Sequence, residues 1–341
     1  MLEPLKFIAD EESLKFYLID CGSGLMHLLV FPDETVMLFD CNVTIEKEDE
    51  IIKFLERHIP KKLNIDTNEN EKVIDIFVNS HRDKDHLRGL KKINKYFKVK
   101  SIWDSGQTGE STEDADYMYY MELRRELKKA SEKNLFVPVP SNEEITTNIE
   151  GVSIYCLSAE ESFAVDYINE TVMAAKKQHT NSIVLLIIFG ERKMLLTGDS
   201  DWKSWKEEIV PNFSKYINNY ENTDILIASH HGSRSFFTDE KVNETIDEKN
   251  NPDTTYIESI ELINPVITLI SCGKYDTYHH PNKEALALYK EHTSNEQVYT
   301  TQNLGTICGF ISKDGKFSVI PYKFRNLGND TNQNIYFTCR A

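Results

Sequence analysis

Three things are scarce in this 341-residue sequence. Paired cysteines are the first. The six cysteines, Cys21, Cys41, Cys156, Cys272, Cys308 and Cys339, form no Cys-x-x-Cys pair. That excludes a zinc ribbon and a thioredoxin-like redox motif, and it points to free thiols in a reducing compartment. Long hydrophobic runs are the second. The longest, "SIVLLIIFG" (Ser182 to Gly190), is far too short to span a bilayer. The opening "MLEPLKFIADEESLKFYLID" carries acidic residues and lacks the apolar centre of a signal peptide. A cytoplasmic protein with no membrane contact is expected. Basic charge is the third. Lys and Arg number 39 against 55 Asp and Glu, a formal net charge of −16. A free-standing nucleic-acid binder is usually basic, so tight, non-specific duplex binding is disfavoured. Hydrolysis of a phosphodiester stays open, because bound cations can supply positive charge locally.

Recognisable nucleophile and cofactor motifs are absent too. "GSG" at Gly22 to Gly24 is too short for a dinucleotide fingerprint and reads as a hairpin turn. "SHHGS" lacks the Gly-x-Ser-x-Gly of a nucleophile elbow. There is no internal repeat and no low-complexity tract.

What is present is a run of short β-like segments followed by helix–strand alternation, and the order recurs in the second half. "SLKFYLID", "GLMHLLVFP" and "ETVMLFD" read as strands separated by the turns "CGSG" and "PDE". "TIEKEDEIIKFLERHI" reads as an amphipathic helix with Thr44 as N-cap. "VIDIFVNS" reads as a strand and "HLRGLKKINKYF" as the helix after it. "NSIVLLIIFGERKMLLTGD" reads as a hairpin turning at "GER", followed by a helix bearing Trp202 and Trp205, both assigned to core. "DILIASHHGS" and "VITLISCG" are further strands. The expected class is α/β: two mixed β-sheets packed together with helices outside, an αββα sandwich. One domain over residues 1–341 is expected, with a polar surface insertion at 234–260.

The chemistry sits at the mouths of these strands. "FVNSHRDKDHLRGL" places His81, Asp83, Asp85 and His86 within six residues, directly after the apolar "VIDIFV". Desolvating that much charge is costly unless the groups are paired or bind a cation. "LLTGDS" sets Asp199 just past a strand, "IASHHGS" sets His230 and His231 past another, and "DTYHHPN" sets His279 and His280 past a third. His179 precedes "NSIVLLIIF". Seven of the ten histidines thus fall at strand-adjacent loop positions. Any one of them reads as an ordinary loop histidine; the set reads as a metal site.

The cluster has a recognisable pattern. "SHRDKDHLRGL" resembles the HxHxDH signature of the metallo-β-lactamase superfamily, with Asp83 in place of the second histidine. Together with "TNSIVLLI…LLTGD", "SHHGSRS" and "YHHP" it resembles the hydrolase domain of the ComEC family of DNA-uptake channel proteins. The opening "IDCGSGLMHLLVFPDETVMLFDCN" is similar to that family's first hairpin. The likeness runs from about Ile19 to about Ile311. It departs in three places: no channel-forming membrane region, Tyr278 and His279 before His280-Pro281 where the family usually has a glycine before His-Pro, and the insertion after Ser235.

The resemblance implies that His81 and Asp83 bind one metal, Asp85 and His86 the other, and that Asp199 bridges them. His230 would complete the second site, and His179 is a candidate to complete the first. Asp40 would support the ligands from behind. His231, Gly232 and Ser233 would line the pocket, with the Ser233 hydroxyl as a phosphate donor. His280 would face the substrate phosphate, so Asp85 and His280 are the residues expected to carry catalysis. Two divalent cations activate a water near neutral pH and polarise the scissile oxygen. An aspartate among the imidazoles shifts preference from pure zinc towards manganese or magnesium. The favoured function is a phosphodiesterase or nuclease. Its substrate is a small phosphodiester, a nucleic-acid end or a single strand handed over by a partner protein. The alternatives are a metallohydrolase of a carbonyl ester, lactone or lactam, and a non-catalytic relic or interaction protein.

Overall fold

The computed structural model describes residues 12–64, 68–106, 114–158, 179–213, 220–240, 245–274, 278–322 and the backbone of 337–339. Two large sheets face each other. The first contains β1 (Leu14–Leu18), β2 (His27–Val30), β3 (Val36–Phe39), β4 (Ile74–Asn79), β5 (Val99–Asp104) and β6 (Leu135–Phe136). The second is β7 (Val152–Ser158), β8 (Val184–Phe189), β9 (Arg192–Leu196), β10 (Ile225–Ile227), β11 (Ile267–Ile270) and β12 (Val298–Thr300), in that order. The chain then returns to the first sheet with β13 (Ile307–Ile311), β14 (Phe317–Pro321) and β15 (Phe337–Cys339). The first sheet runs β6-β5-β4-β3-β2-β1-β13-β14-β15.

Both sheets are mixed in the same way. Antiparallel pairing links β1 to β2 to β3 and β7 to β8 to β9. From β3 and from β9 the strands run parallel. Parallel strands need crossovers, and those crossovers put helices on the outer faces. α1 (Glu48–His58) buries Ile51, Ile52, Phe54 and Leu55. It joins α2 (Leu90–Phe97) and α3 (Ala115–Ala130) in an apolar cluster outside the first sheet. Outside the second sheet lie a helical stretch from Trp202 to Phe213 with a π turn over Trp205–Ile209, then α4 (Glu258–Ile263) and α5 (Lys283–His292). Trp202 and Trp205 are buried there. Between the sheets, alternate residues such as Phe16, Leu18, Leu29 and Phe39 meet Ile183, Leu185, Ile187, Leu196 and Leu269. The architecture is the expected αββα sandwich.

Several local expectations are corrected. The α1 helix starts at Glu48 rather than Thr44, with Lys47 at its N-cap and no side-chain cap. The Thr44 carbonyl accepts a hydrogen bond from the Lys47 amide. The next helix starts at Leu90 rather than His86. His86 belongs to a short 3₁₀ turn, and Leu87–Arg88 pairs with Cys41–Asn42. Gly89 makes the break: its φ is +77°, and a Cβ there would lie 2.6 Å from Val43 Cβ. Among the described residues of segment 234–260, apolar ones at both ends are buried. Phe236, Phe237, Tyr256 and Ile260 are buried in the outer cluster of the second sheet, and Thr238 bridges to Thr255. The five cysteines with described side chains are buried. Among the described residues no helix is long and apolar enough to cross a membrane.

His27 gives the core a pH-sensitive point. Its side chain is fully buried beside Phe16, with no hydrogen bond at either ring nitrogen. Burial pulls its pKa down to about 3. Below its ordinary pKa of about 6.5 the unfolded chain takes up a proton that the folded chain refuses, so stability falls as pH falls from 6.5 towards 3. His27→Leu should remove this component. Urea unfolding at pH 7 and pH 5.5 should show the variant losing about 1 kcal/mol less than wild type between the two; parallel losses would show that His27 is not the source.

Candidate metal centre

The parallel strands of both sheets end on the same side, and their carboxyl ends carry the polar residues. In the first sheet Asp40 follows β3 and Ser80 and His81 follow β4. In the second, the register Leu196↔Ile227↔Leu269 aligns three strand ends, so Asp199, His230 and Ser271 emerge side by side. His179 enters just ahead of β8. The two edges are sewn together by backbone: the Ile183 amide donates to the Ser80 carbonyl at 2.9 Å. Gly198, with φ +51°, permits the contact, since a Cβ there would overlap Ser182 Oγ and lie 2.8 Å from Ser80 Cβ.

Asp199, 3% exposed, stands at the centre. Its two oxygens face different imidazoles. Oδ2 is 3.8 Å from His81 Nε2 and 3.4 Å from His230 Nε2. Oδ1 is 3.3 Å from His86 Nε2 and 3.9 Å from His231 Nε2. Asp83 Oδ2 lies on the first side, 3.5 Å from His81 Nε2 and 3.3 Å from His179 Nε2. Asp85 Oδ2 lies on the second, 3.9 Å from His86 Nε2 and 3.4 Å from His231 Nε2.

The geometry places the sequence-predicted residues as follows. His81, Asp83 and His179 converge; so do Asp85, His86 and His231, with Asp199 between the two sets. One assignment is exchanged. His231, expected in the pocket wall, stands with Asp85 and His86, whereas His230 groups with His179 and Asp199. The cause is backbone conformation. His230 (φ 47°, ψ 48°), His231 (φ 56°, ψ 24°) and Gly232 (φ 76°) turn left-handed in succession. That sequence of angles aims neighbouring side chains to opposite sides of Asp199, at a cost of roughly 1–2 kcal/mol for each non-glycine residue. Ser233 is half-buried and its hydroxyl accepts from the Ser235 amide at 3.2 Å. His280 lies above the pair, its ring 5.9 Å from those of His230 and His231, and Tyr278 stacks on it from outside.

Groups behind the imidazoles fix their tautomers. Asp40 accepts three hydrogen bonds: from the Ser80 amide at 2.7 Å, from Ser80 Oγ at 2.6 Å and from His86 Nδ1 at 2.7 Å. Because Ser80 Oγ donates to Asp40, it accepts from His81 Nδ1 at 3.0 Å. His231 Nδ1 donates to the Ser271 carbonyl at 3.1 Å. His230 Nδ1 is 2.7 Å from Ser235 Oγ. With Nδ1 engaged, each ring turns Nε2 to the centre. Asp40 was legible in "LFDCN"; Ser80, Ser235 and Ser271 carried no signal, because serines beside strand ends are common.

Electrostatics tell the same story. Burial would raise Asp199, but His230, His86 and His231 hold it well below the usual carboxylate range. Burial likewise opposes ionisation of Asp83 and Asp85. His179 and His81 outweigh it for the first, and His86 and His231 for the second. Burial would lower His86, yet Asp199, Asp40 and Asp85 raise it well above its ordinary value. His230 differs: burial dominates and pulls it down to about 3.

Does this donor set fit divalent cations? His81 Nε2, His86 Nε2, His231 Nε2 and Asp199 Oδ1 are buried without a hydrogen bond. Orphaned buried polar atoms are rare unless something else satisfies them. Donors about 2.1 Å from a shared cation stand roughly 3.0–3.4 Å apart along tetrahedral or octahedral edges, close to the separations around Asp199. The residues fit.

The αββα layering, with candidate donors gathered at the strand ends of both sheets, resembles the metallo-β-lactamase-like arrangement. Within that class the chain resembles the ComEC-like hydrolase domains. It is 25% identical over 252 residues to ComE operon protein 3 of Bacillus subtilis (strain 168), a match covering 73% of this chain and 26% of the relative. The chain thus spans about a quarter of that curated relative's length. No protein-family profile matches the chain. Similar solved structures include Igni18, a metallo hydrolase of Ignicoccus hospitalis KIN4/I (11% identity, 87% of this chain and 98% of that one, TM-score 0.42). Others are zinc-bound PqqB of Methylobacterium extorquens (10%, 85% and 99%, 0.45) and the diiron β-hydroxylase CmlA of Streptomyces venezuelae (11%, 86% and 53%, 0.43).

Asp40→Asn keeps the size of the side chain at a left-handed position (φ 58°) that Asn tolerates. It swaps one acceptor for a donor facing Ser80 and His86. Divalent-ion affinity, measured by competition with a chromophoric chelator, should fall about 10- to 100-fold, with the circular dichroism spectrum unchanged.

Proposed function

We propose that the chain is a metal-dependent hydrolase of phosphodiesters, using two divalent cations held on either side of Asp199. The observation that carries this is the split of Asp199: Oδ2 faces His81 and Oδ1 faces His86, and an aspartate of the 81–86 loop stands on each side. When bound, the cation pair supplies an activated water and neutralises charge developing on the scissile group. The chain's own residues do the rest. His81, Asp83 and His179 hold one position, and Asp85, His86 and His231 the other. Ser80, Asp40 and Ser271 keep the imidazoles in the tautomer that binds.

His280 is placed to meet the substrate. It is half-buried and hangs over the junction of His230 and His231. The Asn282 amide donates to the Gly232 carbonyl at 2.9 Å, and Arg234 pairs with Glu284, so its loop is clamped to the histidine loop. In this reading it stabilises charge on the phosphoryl group or gives a proton to the leaving oxygen. The Ser233 hydroxyl is a second phosphate donor. Zinc, manganese and magnesium all suit a mixed imidazole–carboxylate set. The acidic chain favours a small phosphodiester, a nucleic-acid end or a single strand brought by a partner protein. The resemblance of the motifs to the ComEC family of DNA-uptake channel proteins is in keeping with a nucleic-acid substrate.

Purified protein reconstituted with manganese should hydrolyse bis-p-nitrophenyl phosphate, and a chelator should abolish the activity. Robust lactone hydrolysis with no phosphodiesterase activity under any divalent cation would instead establish the carbonyl reading.

Asp85→Ala and His280→Ala separate the roles. Asp85→Ala should lose one of the two bound cations and at least two powers of ten in turnover. His280→Ala should keep its metal and still lose rate. Elemental analysis alongside initial rates reads both, and metal loss in His280→Ala would make that residue a ligand.

A further inference from the structure

The two sides of Asp199 are not equal. The second side offers four donors: Asp85, His86, His231 and Asp199 Oδ1. The first offers His81, Asp83, His179 and Asp199 Oδ2, and His230 stands there as well. We infer that His230 is a fifth donor to the first cation position, so that one position is closed by the protein and the other is left open to substrate. This rests on the dinuclear reading above and deepens it by assigning the two cations different jobs.

The assignment follows from which oxygen His230 faces. Its Nε2 is 3.4 Å from Asp199 Oδ2, the oxygen that faces His81, and it groups with His179 and Asp199. The rings of His230 and His179 are 4.4 Å apart at 60°, a crossing that lets both nitrogens aim at one point without stacking. By contrast the rings of His230 and His231 are 6.0 Å apart at 79°. The chain goes to some length to hold His230 there. Its backbone is left-handed, its amide donates to the Gly198 carbonyl at 3.0 Å, and its Nδ1 meets Ser235 Oγ at 2.7 Å. A donation from Nδ1 to that hydroxyl leaves Nε2 free to bind. A histidine meant only to line a wall needs none of these restraints.

Three imidazoles and two carboxylate oxygens nearly fill the shell of a five- or six-coordinate cation. The first position should therefore bind more tightly and fill first. The second, with four donors and His280 overhead, keeps room for a phosphoryl oxygen. Its occupancy should follow the free concentration of divalent ion, so that hydrolysis tracks the filling of the weaker position.

The test is calorimetric titration of the metal-free protein with Mn²⁺. Wild type should show two separable binding events. His230→Asn, whose side chain tolerates the left-handed backbone, should weaken the tighter event at least tenfold and leave the weaker one within threefold. Asp85→Ala should do the reverse. Activity measured at stepped free Mn²⁺ should rise with the second event in wild type. A thermal melt of each metal-free variant confirms folding. If His230→Asn leaves the tight event unchanged, or weakens only the weaker one, His230 is not a donor to the first position and the inference falls. If wild type binds no divalent ion, the dinuclear reading falls with it. If two events appear as described but no phosphodiester is cleaved, only the substrate reading fails.

Discussion

A carboxylate that is almost fully buried must be repaid at once by positive charge. Asp199 is that group here, and the polar architecture follows from it. One oxygen requires cationic or metal-bound partners on the His81 side, the other on the His86 side. The supply cannot come from one segment. It comes from a loop after β4, a residue before β8 and a loop after β10, drawn from both sheets. The sandwich is therefore more than a scaffold for the site. At its seam, strand ends from both sheets deliver these donors on short side chains.

The supporting groups restrain the seam through hydrogen bonds of the chain itself. Asp40 takes three hydrogen bonds from Ser80 and His86, leaving little freedom to either. Ser271 ties the second sheet back to the first in two ways: its carbonyl holds His231, and its hydroxyl donates to the Gly24 carbonyl at 2.7 Å. Around these, the apolar layers exclude water, which strengthens each interaction inside. The cost is a concentration of charge that only works while imidazoles and carboxylates stay matched.

The sequence exposed much of this, and its silences have physical causes. The density of His81, Asp83, Asp85 and His86 was readable because apolar strand mouths seldom carry four such groups. Asp199, His179 and Asp40 were readable because they flank unmistakable strands. The sandwich was readable from hairpins giving way to helix–strand alternation. What stayed hidden was conformation at single residues. Adjacent histidines can exchange places by a rotation of the backbone, and nothing in "SHHGS" announces two left-handed residues that are not glycine. Gly89 ended the strand-to-helix passage three residues later than the polar pattern suggested. In 234–260 the polar composition concealed Phe236, Phe237 and Tyr256, which are too few for a period yet bulky enough to anchor both ends of the segment.

The seam at Gly198 has a consequence for the order of events in the life of the chain. The loop of residues 81–86 carries four candidate donors in local sequence, well ahead of the rest of the cage. The rest of the cage emerges only after β9 and β10 have been made. If the site binds cations as proposed, any affinity of the unfolded loop for metal would reduce the stabilisation that cations give the folded protein. Closure of the cage depends on the Gly198 turn settling against Ser80 and Ser182. Cation retention would then record whether the two halves have docked: a chain that gathered metal but released it readily would be one whose second sheet had not yet arrived.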